Sequence, residues 1–193
     1  MSIKIRPQRS VSQTQRELFG ERYVGAHISK LRAPDWAQRA IINFMKAPKY
    51  FLVFCGNPGI GKTYLCAALV EFALSHFNSF RYWNESELLK RVRSSIAEYG
   101  DGDYLETLKL LIDDEFVIID DIGSTGLNEW RKEVIFDAID ERYCSTMPTV
   151  ITSNFSKSDI EKLFHERFSS RLFAQENTII EIHNLPDLRQ ENL

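Results

Sequence analysis

An eight-residue segment rich in glycine, GNPGIGKT, constrains this chain more than any other part of its sequence. It matches GxxxxGK[ST], a pattern in which consecutive backbone N–H groups surround phosphates, the lysine reaches the β- and γ-phosphates of a nucleotide, and the final hydroxyl binds Mg²⁺. The pattern predicts a site for ATP and Mg²⁺, and a glycine turn without a ligand is the alternative. The predicted nucleotide-binding residues are Gly56, Asn57, Pro58, Gly59, Ile60, Gly61, Lys62 and Thr63, of which Thr63 is also a predicted metal ligand.

The segments that flank this loop predict a strand before it and a helix after it. Tyr50–Cys55 is a continuous apolar run, as expected for a strand buried on both faces, and Thr63–Phe77 is apolar on almost all sides, as expected for a buried helix. Further strands are predicted at Phe80–Trp83, Phe116–Ile119, Thr149–Ser153 and Thr178–Ile182. Helices are predicted at Trp36–Met45, Glu87–Ala97 and Tyr104–Leu111, after a cap at Asn128, and after a capping box of Ser158 and Glu161.

This alternation predicts one α/β domain, a P-loop NTPase with a parallel five-stranded sheet flanked by helices. Ligands of such sheets bind at the carboxyl ends of the strands. Two carboxylates follow the apolar run Val117–Ile119: Asp120 is a predicted Mg²⁺ ligand, and Asp121 is a predicted base that orients and deprotonates the attacking water. An ordinary acidic turn at a strand end is the alternative.

Polar residues farther along the chain extend this candidate site. Asn154 follows the predicted strand Thr149–Ser153, where it could hydrogen-bond the attacking water or the γ-phosphate, and an asparagine that only caps a helix would fit the same position. Arg167 and Arg171 lie four residues apart and therefore share one face of a predicted helix. Such a pair could be solvent-exposed, or it could reach the nucleotide of a neighbouring subunit.

The charge balance excludes strong attraction of the whole protein to nucleic acid, because 24 basic and 27 acidic residues give a net charge of −3. Nucleic-acid binding would need a local patch. Residues 1–18 are predicted to form a basic, flexible arm, the helix Glu87–Ala97 carries a second basic group, and each could equally be a solvated surface. The basic residues concerned are Lys4, Arg6, Arg9 and Arg16 in the arm, and Lys90, Arg91 and Arg93 in the helix.

Apolar runs and cysteines bear on the cellular compartment. The amino terminus lacks the apolar core of an export signal, and the longest apolar run, Tyr50–Cys55, is far below the roughly 20 residues that span a bilayer. Cys55, Cys66 and Cys144 lie far apart and form no metal-ligand pattern. We therefore expect a cytoplasmic protein that makes no membrane contact.

Five segments, in their order along the chain, resemble the DnaC/IstB family of AAA+ ATPases, which includes bacterial and phage replicative helicase loaders and transposition helper ATPases. They are FGERYVGAHI (Phe19–Ile28), GNPGIGKT, FVIIDDIG, TVITSNF and ERFSSRL. The resemblance implies an AAA+ ATPase domain over residues 19–193. Only 22 residues follow Arg171 (193 minus 171), so the helical lid of a full AAA+ module is expected to be absent or minimal, and Arg189 is a candidate second sensor.

The resemblance also implies roles for single residues. It assigns phosphate and metal binding to Lys62, Thr63 and Asp120, the catalytic base to Asp121 and the first sensor to Asn154. Arg171 is implied to be an arginine finger that acts in trans, with Arg167 as the second candidate. The backbone at Tyr23 and Val24 is implied to contact adenine, and Asn128, Trp130 and Arg131 are implied to bind single-stranded DNA. Trp130 could equally be a core residue. Many relatives carry glutamate at the position of Asp121, so hydrolysis is expected to be slower here.

These implications together predict an ATP-dependent helicase loader that acts in DNA replication. It would bind ATP and Mg²⁺, form a homo-oligomer on ATP binding, and contact single-stranded DNA and a replicative helicase. A transposition helper ATPase related to IstB is one alternative. A small-molecule kinase with the same loop and a nucleotide-binding regulatory module without turnover are two others.

Overall fold

A computed structural model describes residues 2–4, 10–99, 104, 108–109, 112–124, 126, 128–183 and 185–187. Helices and strands alternate through most of this range. In chain order the elements are β1 (Ser2–Lys4), α1 (Val11–Phe19), α2 (Asp35–Lys46), β2 (Phe51–Gly56), α3 (Lys62–His76), β3 (Ser79–Asn84), α4 (Glu85–Tyr99), β4 (Phe116–Ile122), α5 (Glu129–Cys144), β5 (Thr149–Ser153), α6 (Lys157–Leu163), α7 (Glu166–Leu172) and β6 (Thr178–Ile182), with short 3₁₀ turns at Glu21–Tyr23 and Ile28–Lys30.

The sheet has the strand order β1-β3-β4-β5-β2-β6. The five strands from β2 to β6 run parallel, which confirms the predicted parallel five-stranded sheet. The order places β5 between β2 and β4, although β5 follows both of them in the sequence. The loop after β2, the acids at the end of β4 and the polar residues at the end of β5 therefore meet at one edge of the sheet.

Two apolar layers cover the sheet, one on each face. Side chains alternate along each strand, so Val53 of β2 joins the layer that contains α4, α5, α6 and α7, while Leu52 joins the layer that contains α2 and α3. All residues of β2 and β5 are buried, as the continuous apolar run at β2 predicted. This is the layered packing expected when helices flank a parallel sheet.

The short edge strand β1 was not predicted. Its residues Ser2, Ile3 and Lys4 pair antiparallel with Arg81, Phe80 and Ser79 of β3. Three residues are too few to show the period-2 pattern from which strands are recognised, and the pairing uses backbone groups, which every sequence supplies.

Residues 11–18 of the predicted arm also form part of the folded body. Helix α1 begins with a capping box, in which the Ser10 hydroxyl accepts from the Gln13 N–H and the Gln13 side chain accepts from the Ser10 N–H. Thr14 and Gln15 are fully buried where the helix packs on α3. The predicted flexibility therefore does not extend to this helix, and Arg6 and Arg9 lie outside the described residues.

Predictions about helix ends had mixed outcomes. Asn128 caps α5, because its Oδ1 accepts from the Arg131 N–H at 3.0 Å, as predicted. The capping box predicted for Ser158 and Glu161 is wrong: Ser156 and Asp159 form it, two residues earlier. Both serines have a carboxylate three residues later, so the pattern alone was ambiguous. The predicted helix Tyr104–Leu111 lies only partly within the described residues.

Candidate nucleotide-binding site

The glycine-rich loop joins the end of β2 to the start of α3, the position predicted from the sequence. Gly56, Gly59 and Gly61 have φ values of 147°, 86° and 97°, a region that side chains rarely allow. A Cβ on Gly56 would lie 1.9 Å from the Ile182 carbonyl oxygen, so β6 leaves no room for a side chain there. Glycine is thus required by both backbone conformation and close packing.

Lys62 turns its side chain into the centre of this loop. Its Nζ donates to the carbonyl oxygens of Gly56 and Asn57 at 2.7 and 2.8 Å, and only 7% of the residue is exposed. The positive charge is therefore held where backbone N–H groups at the start of α3 also favour an anion. A carbonyl-bound ammonium can exchange these partners for phosphate oxygens.

Asp120 lies at the end of β4 and is 3% exposed. Its Oδ2 accepts from the Thr63 hydroxyl at 3.1 Å and from the Tyr82 hydroxyl at 3.0 Å, and its Oδ1 accepts from the Thr152 hydroxyl at 2.5 Å and from the Cys66 thiol at 3.6 Å. A buried carboxylate needs such donors, because desolvation without them is costly. The four donors also leave the carboxylate little freedom to rotate.

Two of these donors are held in their protonated forms. Burial, followed by the charge of Asp120, raises the pKa of the Tyr82 hydroxyl and of the Cys66 thiol well above their ordinary values. Both groups therefore remain donors at neutral pH. Neither position was identified from the sequence, because a tyrosine within a strand and a cysteine within a helix each look like core residues.

Asp121 has a different environment from its neighbour. Its φ is 66°, which turns the chain sharply after β4, and its N–H donates to the Thr152 hydroxyl at 2.9 Å. Asn154 Nδ2 donates to Asp121 Oδ1, so the predicted base and the predicted sensor are in direct contact. Burial and the charge of Asp120 raise the pKa of Asp121, against the opposing effects of Ser124, Lys62 and Asn154.

These groups open onto a cavity of about 430 Å³. It is lined by the glycine-rich loop, both aspartates and Asn154, which we call the phosphate or metal end, and by residues of the segment that follows α1, which we call the base end after the nucleobase. Tyr23 lines the cavity, whereas Val24 is not among its lining residues, and contact of their backbone with adenine stays a prediction. The lining residues that the sequence analysis had not identified are Arg22, Lys30, Leu31, Arg32 and Tyr64.

The donor types at the phosphate end fit Mg²⁺. The Thr63 hydroxyl and the Asp120 carboxylate are hard oxygen ligands, and they already lie 3.1 Å apart. The Asp187 carboxylate lies against Gly59 of the loop, where an added Cβ would be 2.0 Å from Asp187 Oδ1. The described chain after β6 therefore passes directly over the loop. Arg189 lies outside the described residues.

Neither candidate finger lies in the cavity of its own chain. Arg171 Nε donates to Asp140 Oδ1 at 2.7 Å, and its guanidinium lies 5.1 Å from the centre of the Tyr143 ring. Arg167 lies over the Phe136 ring at 5.3 Å. Both side chains thus project from α7 onto α5, away from the residues that the structure gathers around the loop.

The structure joins two segments that the sequence analysis treated separately. The Arg93 guanidinium of α4 lies 4.8 Å from the centre of the Trp130 ring at the start of α5. Trp130 is partly buried against the core below it, and Arg131 Nη1 donates to the Gly126 carbonyl at 2.8 Å. The basic group of α4 and the segment after β4 therefore form one surface, on which Arg93 covers a face of Trp130.

A family model described as IstB-like ATP binding protein matches residues 28–171, more than half of the chain. The chain belongs to this family. The match includes the loop, both aspartates, Asn154 and Arg171, and it confirms the resemblance inferred from the motifs. Within the described residues, no helix combines the length and apolar character that crossing a membrane requires.

Individual relatives agree with this assignment. The replicative helicase loader DnaC of Escherichia coli (strain K12) is 26% identical over 120 residues, which cover 62% of this chain and 49% of the loader. An ATP-binding protein of insertion sequence IS1162 from Pseudomonas fluorescens is 28% identical over 131 residues, which cover 68% of this chain and 51% of that protein. The chain thus spans about half the length of these relatives.

A solved structure supports the fold. The crystal structure of the DnaC helicase loader superimposes with a TM-score of 0.66 at 24% identity, covering 83% of this chain and 99% of that one. Together with the strand order, this identifies the fold as a P-loop domain of the AAA+ type, as predicted.

Proposed function

We propose that this protein is an ATPase that loads a replicative helicase onto single-stranded DNA. The observation that carries the ATPase assignment is the convergence of Lys62, Thr63, Asp120, Asp121 and Asn154 on one cavity. Membership of a family of ATP-binding proteins supports the identity of the nucleotide.

The loop and the first aspartate hold the substrate. Lys62 leaves the carbonyl oxygens of Gly56 and Asn57 to bind the β- and γ-phosphates, and Thr63 and Asp120 supply oxygen ligands for Mg²⁺. When bound, Mg²⁺ neutralises negative charge on the phosphates. Tyr23 lines the base end of the cavity, where adenine would lie.

Asp121 and Asn154 act on the attacking water. Burial and the charge of Asp120 raise the pKa of Asp121, which makes its carboxylate a better proton acceptor than that of an ordinary aspartate. Asn154 orients the Asp121 carboxylate by donating a hydrogen bond to its Oδ1. Aspartate is shorter than glutamate, so the water must approach closer to the backbone of β4, and slow turnover follows.

Arg171 completes the site of a neighbouring subunit. It lies on α7, outside its own cavity, and its contact with Asp140 holds the guanidinium in one orientation. A finger supplied in trans makes hydrolysis depend on assembly, so we expect a homo-oligomer to form when ATP binds.

The loader role is supported by the helicase-loader function of the DnaC relatives and by the surface formed by Arg93, Trp130 and Arg131. A base of single-stranded DNA could stack on Trp130 in place of the Arg93 guanidinium that covers its face, while Arg93 and Arg131 contact phosphates. The transposition helper remains the second candidate, because the insertion-sequence relative is similarly close. Family membership gives no support to a small-molecule kinase.

Capture of the ATP-bound assembly separates these candidates. Tagged Asp121→Asn protein keeps the metal ligand and loses the base, so it should retain ATP and any ATP-dependent partner. Recovery of the host's replicative helicase with ATP, and its loss from the Lys62→Ala control, would support the loader. Recovery of a transposase under the same conditions would favour the second candidate, and ATP hydrolysis absent from the wild type would overturn both.

A further inference from the structure

Helix α1 contacts residues that support both ends of the candidate nucleotide site. Its residue Gln15 is fully buried and uses its whole amide group: Nε2 donates to the Ala26 and Ala67 carbonyl oxygens at 2.8 and 3.0 Å, and Oε1 accepts from the Gly25 N–H at 2.8 Å. Ala67 belongs to α3, the helix that begins in the glycine-rich loop. Gln15 thus ties the segment around Gly25 to that helix.

This segment directly follows Tyr23, which lines the base end of the cavity. Gly25 and Ala26 directly follow Tyr23 and Val24, and Gly25 has a φ of 80°, so the chain turns sharply there. A buried backbone group that loses its hydrogen-bond partner is costly in free energy, so the position of this turn depends on Gln15. Without Gln15, the Ala26 carbonyl would lose a buried hydrogen bond and the Gly25 N–H would lose a partly buried one.

The carboxyl end of α1 reaches the metal end of the site. The Phe19 ring packs on the Tyr82 ring with a centroid distance of 4.4 Å. The Tyr82 hydroxyl in turn donates to Asp120 Oδ2 at 3.0 Å. Phe19 therefore limits where the Tyr82 ring can lie, and Tyr82 limits how the Asp120 carboxylate can turn.

We propose that α1 is a positioning helix for nucleotide binding, in which Gln15 sets the base end of the cavity and Phe19, through Tyr82, sets the orientation of the metal ligand Asp120. This inference rests on the proposed ATP and Mg²⁺ site. Gln15, Phe19 and Tyr82 are positioning residues, because each acts through another group. Anything that displaces α1 would weaken both ends of the site together.

The two ends are measured separately. The affinity for a fluorescent ATP analogue, titrated in EDTA, reports the base end and the loop without metal. The Mg²⁺ concentration that gives half of the fluorescence change at saturating nucleotide reports the metal end. Neither readout requires hydrolysis.

Gln15→Met removes three hydrogen bonds, two of them buried, while keeping the length of the side chain. We expect it to weaken nucleotide binding in EDTA by about tenfold, the usual effect of losing one or two net hydrogen bonds, and to leave the Mg²⁺ requirement unchanged. Gln15→Asn, which is too short to keep all three bonds, is the milder variant if the methionine protein does not fold.

Asn177→Leu is the matched control for Gln15. Asn177 also donates to two carbonyl oxygens, those of Arg171 and Leu172, and accepts from one backbone N–H, that of Phe51, but it lies away from the cavity. It should lose similar thermal stability and keep normal nucleotide affinity.

Tyr82→Phe removes only the hydroxyl that contacts Asp120. We expect it to raise by about tenfold the Mg²⁺ concentration that gives half of the fluorescence change, because it removes a hydrogen bond to a buried carboxylate. Nucleotide binding in EDTA should be unchanged. Tyr104→Phe is the control, because its hydroxyl also donates to a carboxylate, Asp137, at 2.8 Å. Phe19→Leu should raise the Mg²⁺ requirement more weakly and should also weaken binding in EDTA, because the Phe19 ring packs on Tyr23 as well, with a centroid distance of 6.1 Å.

The crossed pattern, with Gln15→Met and Tyr82→Phe each affecting its own end, supports the proposal. The proposal would be overturned if Gln15→Met had wild-type nucleotide affinity in EDTA and Tyr82→Phe had a wild-type Mg²⁺ requirement. It would also be overturned if the variants and their controls lost nucleotide affinity and Mg²⁺ response to the same extent, because that result indicates general destabilisation. A wild-type protein that binds no ATP would instead refute the proposed function. The two failures are therefore distinguishable.

Discussion

Thr152 offers the sharpest test of the site, because one hydroxyl serves both aspartates. It donates to Asp120 Oδ1 at 2.5 Å and accepts from the Asp121 N–H at 2.9 Å, and the residue is fully buried on β5. Thr152→Val keeps the shape of the side chain and removes both bonds. We expect this variant to lose stability and most ATP hydrolysis.

The magnitude follows from the two bonds. A bond to a charged group contributes about 1.5–3 kcal/mol, and a buried N–H without a partner costs about 1–3 kcal/mol. The added methyl recovers up to about 0.8 kcal/mol, so a net loss of about 3 kcal/mol is expected. In a domain of this size that lowers Tm by roughly 6–12 °C. Since Asp121 is held at its N–H by Thr152, misplacement of the base should lower kcat by roughly 10- to 100-fold.

A second threonine on the same strand provides the control. The Thr149 hydroxyl is also buried, accepts from Arg142 Nε at 2.6 Å and donates to the Met147 carbonyl at 3.0 Å, at the opposite end of β5 from the cavity. Thr149→Val should show a comparable loss of Tm with a normal kcat per folded molecule. Calorimetry and a steady-state phosphate-release assay measure the two quantities. Wild-type hydrolysis by folded Thr152→Val protein would refute the proposed geometry.

Three further predictions concern charged groups of the site. Lys62→Ala should abolish ATP binding, because it removes the positive charge from the loop, and an unchanged affinity by calorimetry would argue against the site. Arg171→Ala should bind ATP normally and hydrolyse it poorly, and mixing it with Lys62→Ala protein should restore part of the activity; without such recovery, a finger in trans is untenable. Because the pKa of Asp121 is raised, kcat should fall on acidification at a higher pH than an ordinary aspartate would give, as the base becomes protonated. An acid limb at the ordinary aspartate pKa in the pH–rate profile would contradict this environment.

The sequence alone determined the phosphate-binding loop, the five parallel strands and the positions of the two aspartates. These features have short-range signatures. GNPGIGKT is contiguous, buried parallel strands are continuous apolar runs, and strand ends in such a sheet converge at one edge. Even the contact between Asn154 and Asp121 follows in outline from this rule, since both residues end strands.

Only the tertiary structure decided which residues support those groups. Strand order inserts β5 between β2 and β4, and this order brings Thr152 to both aspartates across 31 and 32 residues of sequence. Tyr82 reaches Asp120 across 38 residues, and Gln15 reaches Ala67 across 52. Single tyrosines, threonines and glutamines carry no local signature of such a partner, because a hydrogen bond depends on distance and direction in space, and these are set only when the sheet and its helices have packed.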